Sequence, residues 1–180
     1  MNLKIIDNFY EENDFSFMLS SSMLNTYSIT WQPNGDNFFN RTNAYPCHET
    51  KNFKKGNLQL QIFIQTFEKK TGFKIDTLDT FFRKIYSKEL EHVFKYGLRP
   101  HKDPVSYDVA GIVHYNSFSL EDGTGIFSGI EENIHQIEPD VIVGAKPNRC
   151  VFYDPQINHR PLQDKNTEMR IVQPFFIKFK

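Results

Sequence analysis

The spacing of hydrophobic and polar positions changes along the chain. Before residue 74, apolar residues recur mainly at helical spacing. After it, short runs of aromatic and β-branched residues are separated by turn residues, which is typical of strands. These runs are 77–87, 108–116, 124–128, 139–143, 149–153 and 169–179. The pattern predicts a mainly β chain with supporting helices, whose strands form an antiparallel sandwich or barrel.

The first part of the chain predicts one strand and one helix before a long loop. Residues 3–9 read as a short strand. Asn13 or Asp14 is a candidate cap for the helix that follows. The apolar residues of that helix share one face at helical spacing. They are Phe15, Met18, Leu19 and Met23.

Residues 58–70 fit two interpretations. Alternate apolar residues suggest a strand, while Leu60, Ile64 and Phe67 fit a helix. The sequence Lys69-Lys70-Thr71-Gly72 is typical of a helix C-terminus, with cations near the negative end of the dipole and a glycine cap. We therefore favour the helix.

Residues 31–56 are polar and are interrupted by prolines and glycines, which predicts a long loop. A loop of this length inside one domain is often functional. Trp31, Arg41 and Tyr45 are its candidate contact residues, either as part of a lid over a site or in ordinary packing.

Composition and charge narrow the class of protein. A length of 180 residues predicts one domain, and a 15% aromatic content excludes disorder. The net charge of −1 disfavours nucleic acid as a partner. Two cysteines in a chain of this size do not suggest a disulfide scaffold. Because no signal peptide, membrane span or lipidation motif is evident, we expect a cytoplasmic protein without membrane contact. The oligomeric state is not indicated.

One pair among the six histidines and the acidic residues suggests a metal site. Only His101 is followed two residues later by an acid, Asp103, and on a strand these two side chains would share a face. His159 comes after the predicted strand 148–154 and a turn through Pro155. Two histidines and one carboxylate form the facial triad of non-haem Fe(II) oxygenases.

Arg170 opens the last predicted strand, eleven residues after His159. A buried arginine on a strand beside a metal site can bind a distant carboxylate through two parallel hydrogen bonds. The sequence thus offers both a metal site and an anion-binding residue in the same predicted sheet.

Five segments, in this order, resemble the Fe(II)/2-oxoglutarate-dependent dioxygenases, specifically the prolyl 4-hydroxylase-like branch. They are 97–104, 109–116, 122–127, 148–154 and 170–176. The resemblance covers about residues 75–179, and residues 5–9 show a weaker resemblance to the usual start of the family's sequences. It implies a double-stranded β-helix (a jelly-roll, cupin-like fold) over 75–180, within a single dioxygenase domain spanning 1–180. Residues 1–74 would supply the N-terminal strand, the helices and the loop.

The resemblance also implies roles for individual residues. His101, Asp103 and His159 would bind Fe(II), with no catalytic residue beyond these ligands, and Arg170 would bind the far carboxylate of 2-oxoglutarate. Where the family often has a tyrosine that helps to bind this carboxylate, the chain has His114. His114 is either an equivalent hydrogen-bond donor or a satisfied core histidine. Tyr86 is a further candidate contact with the cosubstrate.

The implied activity is hydroxylation of a C–H bond, coupled to decarboxylation of 2-oxoglutarate to succinate and CO2. O2 is the second cosubstrate, and ascorbate is a candidate accessory reductant. Within this branch, prolyl residues in proteins or peptides are the best-known target, and other substrates, including small molecules, also occur. Two alternatives remain: a non-catalytic jelly-roll binding module, and a cupin-like metal enzyme that does not use 2-oxoglutarate.

The remaining candidate residues have structural interpretations. His48, His92 and His135 are expected to be structural or exposed, and Cys150 to be an inert core thiol. Cys47 has no local sign of activation. Six phenylalanines are expected to fill the sandwich. They are Phe81, Phe82, Phe127, Phe152, Phe175 and Phe176.

Overall fold

The computed structural model describes residues 3–29, 47–90, 100–128 and 138–180. Within these ranges the helices are α1 (Glu12–Leu24) and α2 (Leu58–Thr71), with a short 3-10 helix at Ser87–Glu89. The strands are β1 (Lys4–Ile6), β2 (Ser28–Ile29), β3 (His48–Glu49), β4 (Ile75–Thr80), β5 (Arg83–Tyr86), β6 (Val109–His114), β7 (Gly123–Phe127), β8 (Val141–Gly144), β9 (Arg149–Tyr153), β10 (Asn158–Leu162) and β11 (Met169–Phe179). None of the described helices is long and apolar enough to cross a membrane.

The strands form two antiparallel sheets. In the larger sheet the order is β1-β9-β6-β11-β5-β3-β2, and β4 pairs with the far half of β11. The smaller sheet has the order β10-β7-β8. We call these the major and the minor sheet. Since each predicted β run contains at least one strand, the expected mainly β architecture with supporting helices is confirmed.

Strand β11 organises the major sheet. One edge pairs with β6, and the other pairs first with β5 and then with β4. Strands β5 and β4 pair with successive parts of the same edge of β11. The predicted run 77–87 is therefore two strands, divided at residues 81–82. The predicted opening of the last strand near Arg170 is confirmed, since β11 begins at Met169.

Helix α2 ends as its sequence predicts, whereas α1 begins differently. Gly72 has a left-handed conformation with φ 78°, and its amide donates to the Glu68 carbonyl. Asn13 and Asp14 are not the cap of α1, because the helix begins at Glu12 and both residues lie inside its first turn. The predicted apolar face is also narrower than expected, since Met23 is 51% exposed.

The helices cover one face of the major sheet, which we call the outer face. Phe63 and Phe67 of α2 are fully buried against strands β9 and β11. The ring centroids of Phe63 and Phe175 are 4.9 Å apart, and those of Phe67 and Phe152 are 5.4 Å apart. Of the six phenylalanines expected to fill the sandwich, Phe82, Phe127, Phe152 and Phe175 are buried, and Phe81 and Phe176 are partly buried. The expectation is wrong for Phe82, Phe152 and Phe175, because these rings lie on the outer face and pack in the cluster that includes the helices.

A buried polar network lies on the same outer face. The hydroxyls of Tyr10 and Tyr115 both donate to Oε1 of Gln173, at 2.7 and 2.6 Å. The Gln173 amide in turn donates to Thr80 Oγ1 at 3.0 Å. These hydrogen bonds satisfy the side-chain amide of Gln173, which would otherwise be costly to bury.

The other face of the major sheet, here called the inner face, points towards the minor sheet. Ile171 and Gln173 lie on the outer face, so alternation places Arg170 and Val172 on the inner face. The Arg170 guanidinium accordingly reaches carbonyl oxygens of Leu162 in β10 and Gly123 in β7. Functional side chains predicted from the sequence therefore meet between the two sheets.

Candidate metal centre

His101, Asp103 and His159 come together as predicted. One ligand atom from each residue lies within 4.8 Å of those of the other two. The backbone positions them, because the His101 amide donates to the His159 carbonyl at 2.8 Å and the His159 amide donates back at 2.9 Å. The Asp103 amide donates to the Pro155 carbonyl at 2.8 Å. These backbone hydrogen bonds fix the relative positions of the three residues.

The local structure around the ligands differs from the predicted one in two ways. His101 lies in an isolated bridge to His159, and the described residues 102–104 that follow it do not form a strand. His159 lies inside β10, a strand that hydrophobic alternation does not indicate. The shared face of His101 and Asp103 therefore comes from pairing with the 155–159 segment.

The imidazole of His159 presents a lone pair to the site. Its Nδ1 lies 2.9 Å from the Ile157 carbonyl, which only accepts, so Nδ1 carries the proton and the lone pair of Nε2 can bind a metal ion. Burial lowers the pKa of His159 to about 4, which keeps the ring neutral near pH 7. Nε2 lies 3.3 Å from Asp103 Oδ2, so one cation could contact both atoms when Asp103 is ionised.

The carboxyl group of Asp103 is buried in the site. Burial raises its pKa, while the positive charges of His101 and Arg83 act in the opposite direction. A bound divalent ion would stabilise the ionised form. Two imidazoles and one carboxylate are the donor set that non-haem Fe(II) prefers, so these three residues fit the expected metal.

Tyr153 is a site residue that the sequence reasoning did not single out. Its ring centroid lies 4.6 Å from that of His159, and burial raises the pKa of its phenol well above the usual value. The sequence does carry a signal for it. Tyr153 alternates with Val151 on β9, and both side chains lie in the same inner cluster.

Arg170 and His114 lie together on the inner face. Both side chains are fully buried. Burial, followed by the charges of Arg170 and Arg149, lowers the pKa of His114 well below the usual value, so its ring is neutral. Among the described residues, neither ring nitrogen of His114 has a hydrogen-bond partner. His114 is therefore not a satisfied core histidine, and its imidazole beside a buried guanidinium fits an anionic ligand such as 2-oxoglutarate.

Tyr86 lies away from this group. It is opposite Met169 in the β5–β11 pairing, and Met169 packs against the outer-face cluster. Directly opposed residues of antiparallel strands share a face. The Tyr86 ring contacts that of His48, with centroids 5.2 Å apart. The structure does not bring Tyr86 to Arg170, and its contact with the cosubstrate stays a prediction.

The other histidines and cysteines have no described contact with the triad. His48 pairs with Glu89 at 3.0 Å, and His92 and His135 lie outside the described residues, as do Trp31, Arg41 and Tyr45. Cys150 is fully buried, and burial raises the pKa of its thiol well above the usual value, as expected for an inert core cysteine. Cys47 is also buried and contacts Glu49.

Three solved structures share the fold over nearly the whole chain. A prolyl-4-hydroxylase from Pseudomonas putida aligns with a TM-score of 0.61 at 10% identity, covering 99% of this chain and 93% of its own. A 2OG-Fe(II) oxygenase family oxidoreductase from Burkholderia pseudomallei aligns with a TM-score of 0.62 at 9% identity, covering 98% and 85%. The non-heme alpha ketoglutarate dependent epimerase SnoN from nogalamycin biosynthesis aligns with a TM-score of 0.61 at 10% identity, covering 98% and 78%.

No protein-family model and no curated protein sequence matches the chain. The structural likeness is therefore carried by backbone geometry at low sequence identity, together with a ligand triad in the expected order. The resemblance found in the sequence is confirmed for the fold, and the chain has the double-stranded β-helix of the Fe(II)/2-oxoglutarate-dependent oxygenases.

Proposed function

We propose that the protein is an Fe(II)/2-oxoglutarate-dependent oxygenase that hydroxylates a C–H bond and releases succinate and CO2. The observation that carries the proposal is the convergence of His101, Asp103 and His159 within 4.8 Å between the two sheets. A buried Arg170 and a neutral His114 share this inner space. One group of side chains fits the metal, and the other fits the cosubstrate.

The metal ligands define how the site would work. When bound, Fe(II) would supply the redox chemistry by which O2 oxidises 2-oxoglutarate and the substrate. His101, Asp103 and His159 would occupy one face of the ion and leave its other positions open. Ile157 holds the tautomer of His159 through the Nδ1 hydrogen bond, so that its Nε2 stays directed at the ion.

Two further residues would bind and orient the cosubstrate. The Arg170 guanidinium would donate parallel hydrogen bonds to the far carboxylate, and a ring N–H of His114 would add a neutral donor. A buried apolar cluster adjoins them, since Ile85 pairs with Arg170, and Val172 lies two residues along β11. This cluster keeps water away from the carboxylate, which strengthens its interaction with the guanidinium.

We further propose a prolyl residue in a protein or peptide as the substrate. The likeness to a prolyl-4-hydroxylase supports this choice. One of the similar structures is an epimerase, so the kind of product is a separate question from the substrate. Mass spectrometry of the product answers it. A gain of 16 Da on a peptide proline would indicate hydroxylation.

One assay tests the proposed activity against its alternatives. The metal-free protein is supplied anaerobically with Fe(II) and 2-oxoglutarate, O2 is added, and succinate is measured with and without ascorbate. We expect Fe(II)-dependent succinate release that His101→Ala abolishes. Metal and 2-oxoglutarate binding without succinate release would indicate a binding module. Metal binding without 2-oxoglutarate binding would indicate a cupin-like enzyme of another type.

A further inference from the structure

A second arginine lies on the inner face and has no role in the proposed chemistry. Arg83 of β5 is directly opposite Val172 of β11, and Val172 lies on the inner face. Ile85, two residues after Arg83, packs with Val172 in the inner cluster. Both relations place the Arg83 side chain between the sheets. Unlike the fully buried Arg170, its side chain is 28% exposed, so it lies where the inner space opens to solvent.

Neighbouring side chains hold the Arg83 guanidinium in one orientation. Glu49 is directly opposite Arg83 in the β3–β5 pairing. Its Oε1 accepts from Arg83 Nε at 2.7 Å and lies 2.5 Å from Nη2. The guanidinium carbon lies 5.5 Å from the centre of the Phe81 ring. A carboxylate and an aromatic ring therefore orient the guanidinium before any substrate arrives.

Arg83 lies beside the side chains that would bind the cosubstrate. Val172 of β11 is directly opposite Arg83 on one side and His114 on the other, so all three side chains share the inner face. Ile85, two residues after Arg83, is directly opposite Arg170. Arg83 is therefore a neighbour of His114 and Arg170 on the inner face, and its side chain is the more exposed to solvent.

We propose that Arg83 is a specificity-determining residue that binds a carboxylate group of the primary substrate in place of Glu49. This inference rests on the proposed function. Glu49 itself demonstrates that a carboxylate can bind this guanidinium, through Oε1. Both side chains of this ion pair reach solvent, at 28% and 16% exposed, so water can hydrate Glu49 when a substrate carboxylate takes its place. The two arginines then have separate tasks, because Arg170 is buried beside His114 and Arg83 faces the entrance.

Matched pairs of ligands test the proposal by binding. The protein is loaded with Zn(II), which has no redox chemistry, and with saturating 2-oxoglutarate. Dissociation constants are measured for L-proline against L-prolinamide. They are also measured for a blocked Asp-containing proline peptide against its Asn counterpart. We expect the carboxylate member of at least one pair to bind about 10- to 100-fold more tightly, as for a charge-assisted hydrogen bond. The pair that shows this difference identifies the source of the carboxylate, either a free amino acid or a peptide side chain.

Four variants separate recognition from folding. Arg83→Gln should remove the preference for the carboxylate. Arg83→Lys should reduce the preference, because lysine lacks the planar guanidinium that binds a carboxylate through two parallel hydrogen bonds. Glu49→Gln should tighten carboxylate binding, because the competing carboxylate is gone. The matched control is Lys84→Gln, since Lys84 points to the outer face, where its Nζ lies 4.2 Å from the Tyr27 ring centre. This control should keep the preference.

The outcomes for the two proposals differ. Absence of Zn(II)-dependent 2-oxoglutarate binding contradicts the proposed function. Normal 2-oxoglutarate binding, combined with equal or undetectable binding within every pair, overturns the role of Arg83 alone. A carboxylate preference that survives in Arg83→Gln overturns it as well.

Discussion

Nε2 of His159 lies 3.3 Å from Oδ2 of Asp103, while Nδ1 of the same ring is 2.9 Å from the Ile157 carbonyl. The contact with the Ile157 carbonyl fixes the proton on Nδ1. The lone pair of Nε2 therefore points towards the carboxyl oxygen of Asp103. A cation between the two atoms would interact favourably with both. This is the local reason why we assign the three clustered residues to a metal site.

The first prediction concerns the carboxylate ligand. Asp103→Asn keeps the size of the side chain and removes its charge. We expect Fe(II) affinity to fall by more than about 100-fold, which exceeds the usual effect of mutating a residue that only hydrogen-bonds to a metal ligand. Anaerobic equilibrium dialysis measures the change. The control is Asp140→Asn, because Asp140 is exposed and its side chain accepts hydrogen bonds only from Ser128 among the described contacts. Similar losses in both variants would contradict the assignment of Asp103.

The second prediction separates cosubstrate binding from metal binding. Arg170→Ala should weaken 2-oxoglutarate binding by about 10- to 100-fold, because it removes a charge-assisted pair, and should leave Fe(II) affinity within about threefold. Calorimetric titration of 2-oxoglutarate into the Zn(II)-loaded protein measures the loss. Arg170→Lys keeps the positive charge but loses the planar guanidinium, so its affinity for 2-oxoglutarate should lie between those of the wild type and Arg170→Ala. Equal loss of metal and cosubstrate binding would point to misfolding.

The third prediction concerns the pH dependence of stability through His114. The folded state keeps this ring neutral, since its pKa lies well below the usual 6.5, whereas the unfolded chain takes up a proton as the pH falls through that value. The contribution of His114 to the free energy of unfolding is therefore complete above pH 6.5. It is lost below that value at up to about 1.4 kcal/mol per pH unit.

His114→Gln removes this contribution, so the metal-free variant should lose stability less steeply between pH 6.5 and 5 than the wild type. His159 adds a contribution of the same sign, since its pKa is about 4, and the variant retains it. Urea unfolding at several pH values measures both slopes. Equal slopes would show that His114 is protonated alike in the folded and unfolded chain.

The fourth prediction tests the network around Gln173. Tyr10→Phe or Tyr115→Phe removes one hydrogen bond and should cost about 1 kcal/mol, because the other tyrosine still satisfies Oε1. The double variant leaves a buried acceptor without a donor. Its cost should exceed the sum of the single costs by about 1 kcal/mol or more. Denaturant unfolding of the four proteins measures the coupling, and strict additivity would contradict it.

Elements with strong local signals were predictable from the sequence. Helix α2 combines a periodic apolar face with paired lysines and a glycine cap, and it begins and ends within about a turn of the predicted bounds. The last strand begins next to Arg170 as expected. The metal ligands were predictable because His101, Asp103 and His159 occur in a fixed order around recognisable strands.

Strands that form only because they pair with a strand distant in sequence were not predictable. Strand β10 contains Pro161 and little alternation, and it is a strand because it pairs with β7 at the edge of the minor sheet. Strand β3 is two residues long within a polar segment, and its pairing with β5 is what aligns Glu49 with Arg83. Arg83 belongs to the site through tertiary contacts that no local pattern encodes, and the local signal for Tyr153 is its alternation with Val151 on β9.

The reciprocal backbone hydrogen bonds between His101 and His159 have a consequence for how the protein acquires its ion. Since main-chain amides tie His101 and His159 to each other, folding itself would assemble most of the coordination shell of the proposed metal site. Iron supply should then determine the occupancy of a chain that is already folded, and not the yield of folded chain. Chelation should inactivate the protein reversibly, without exposing it to aggregation or proteolysis.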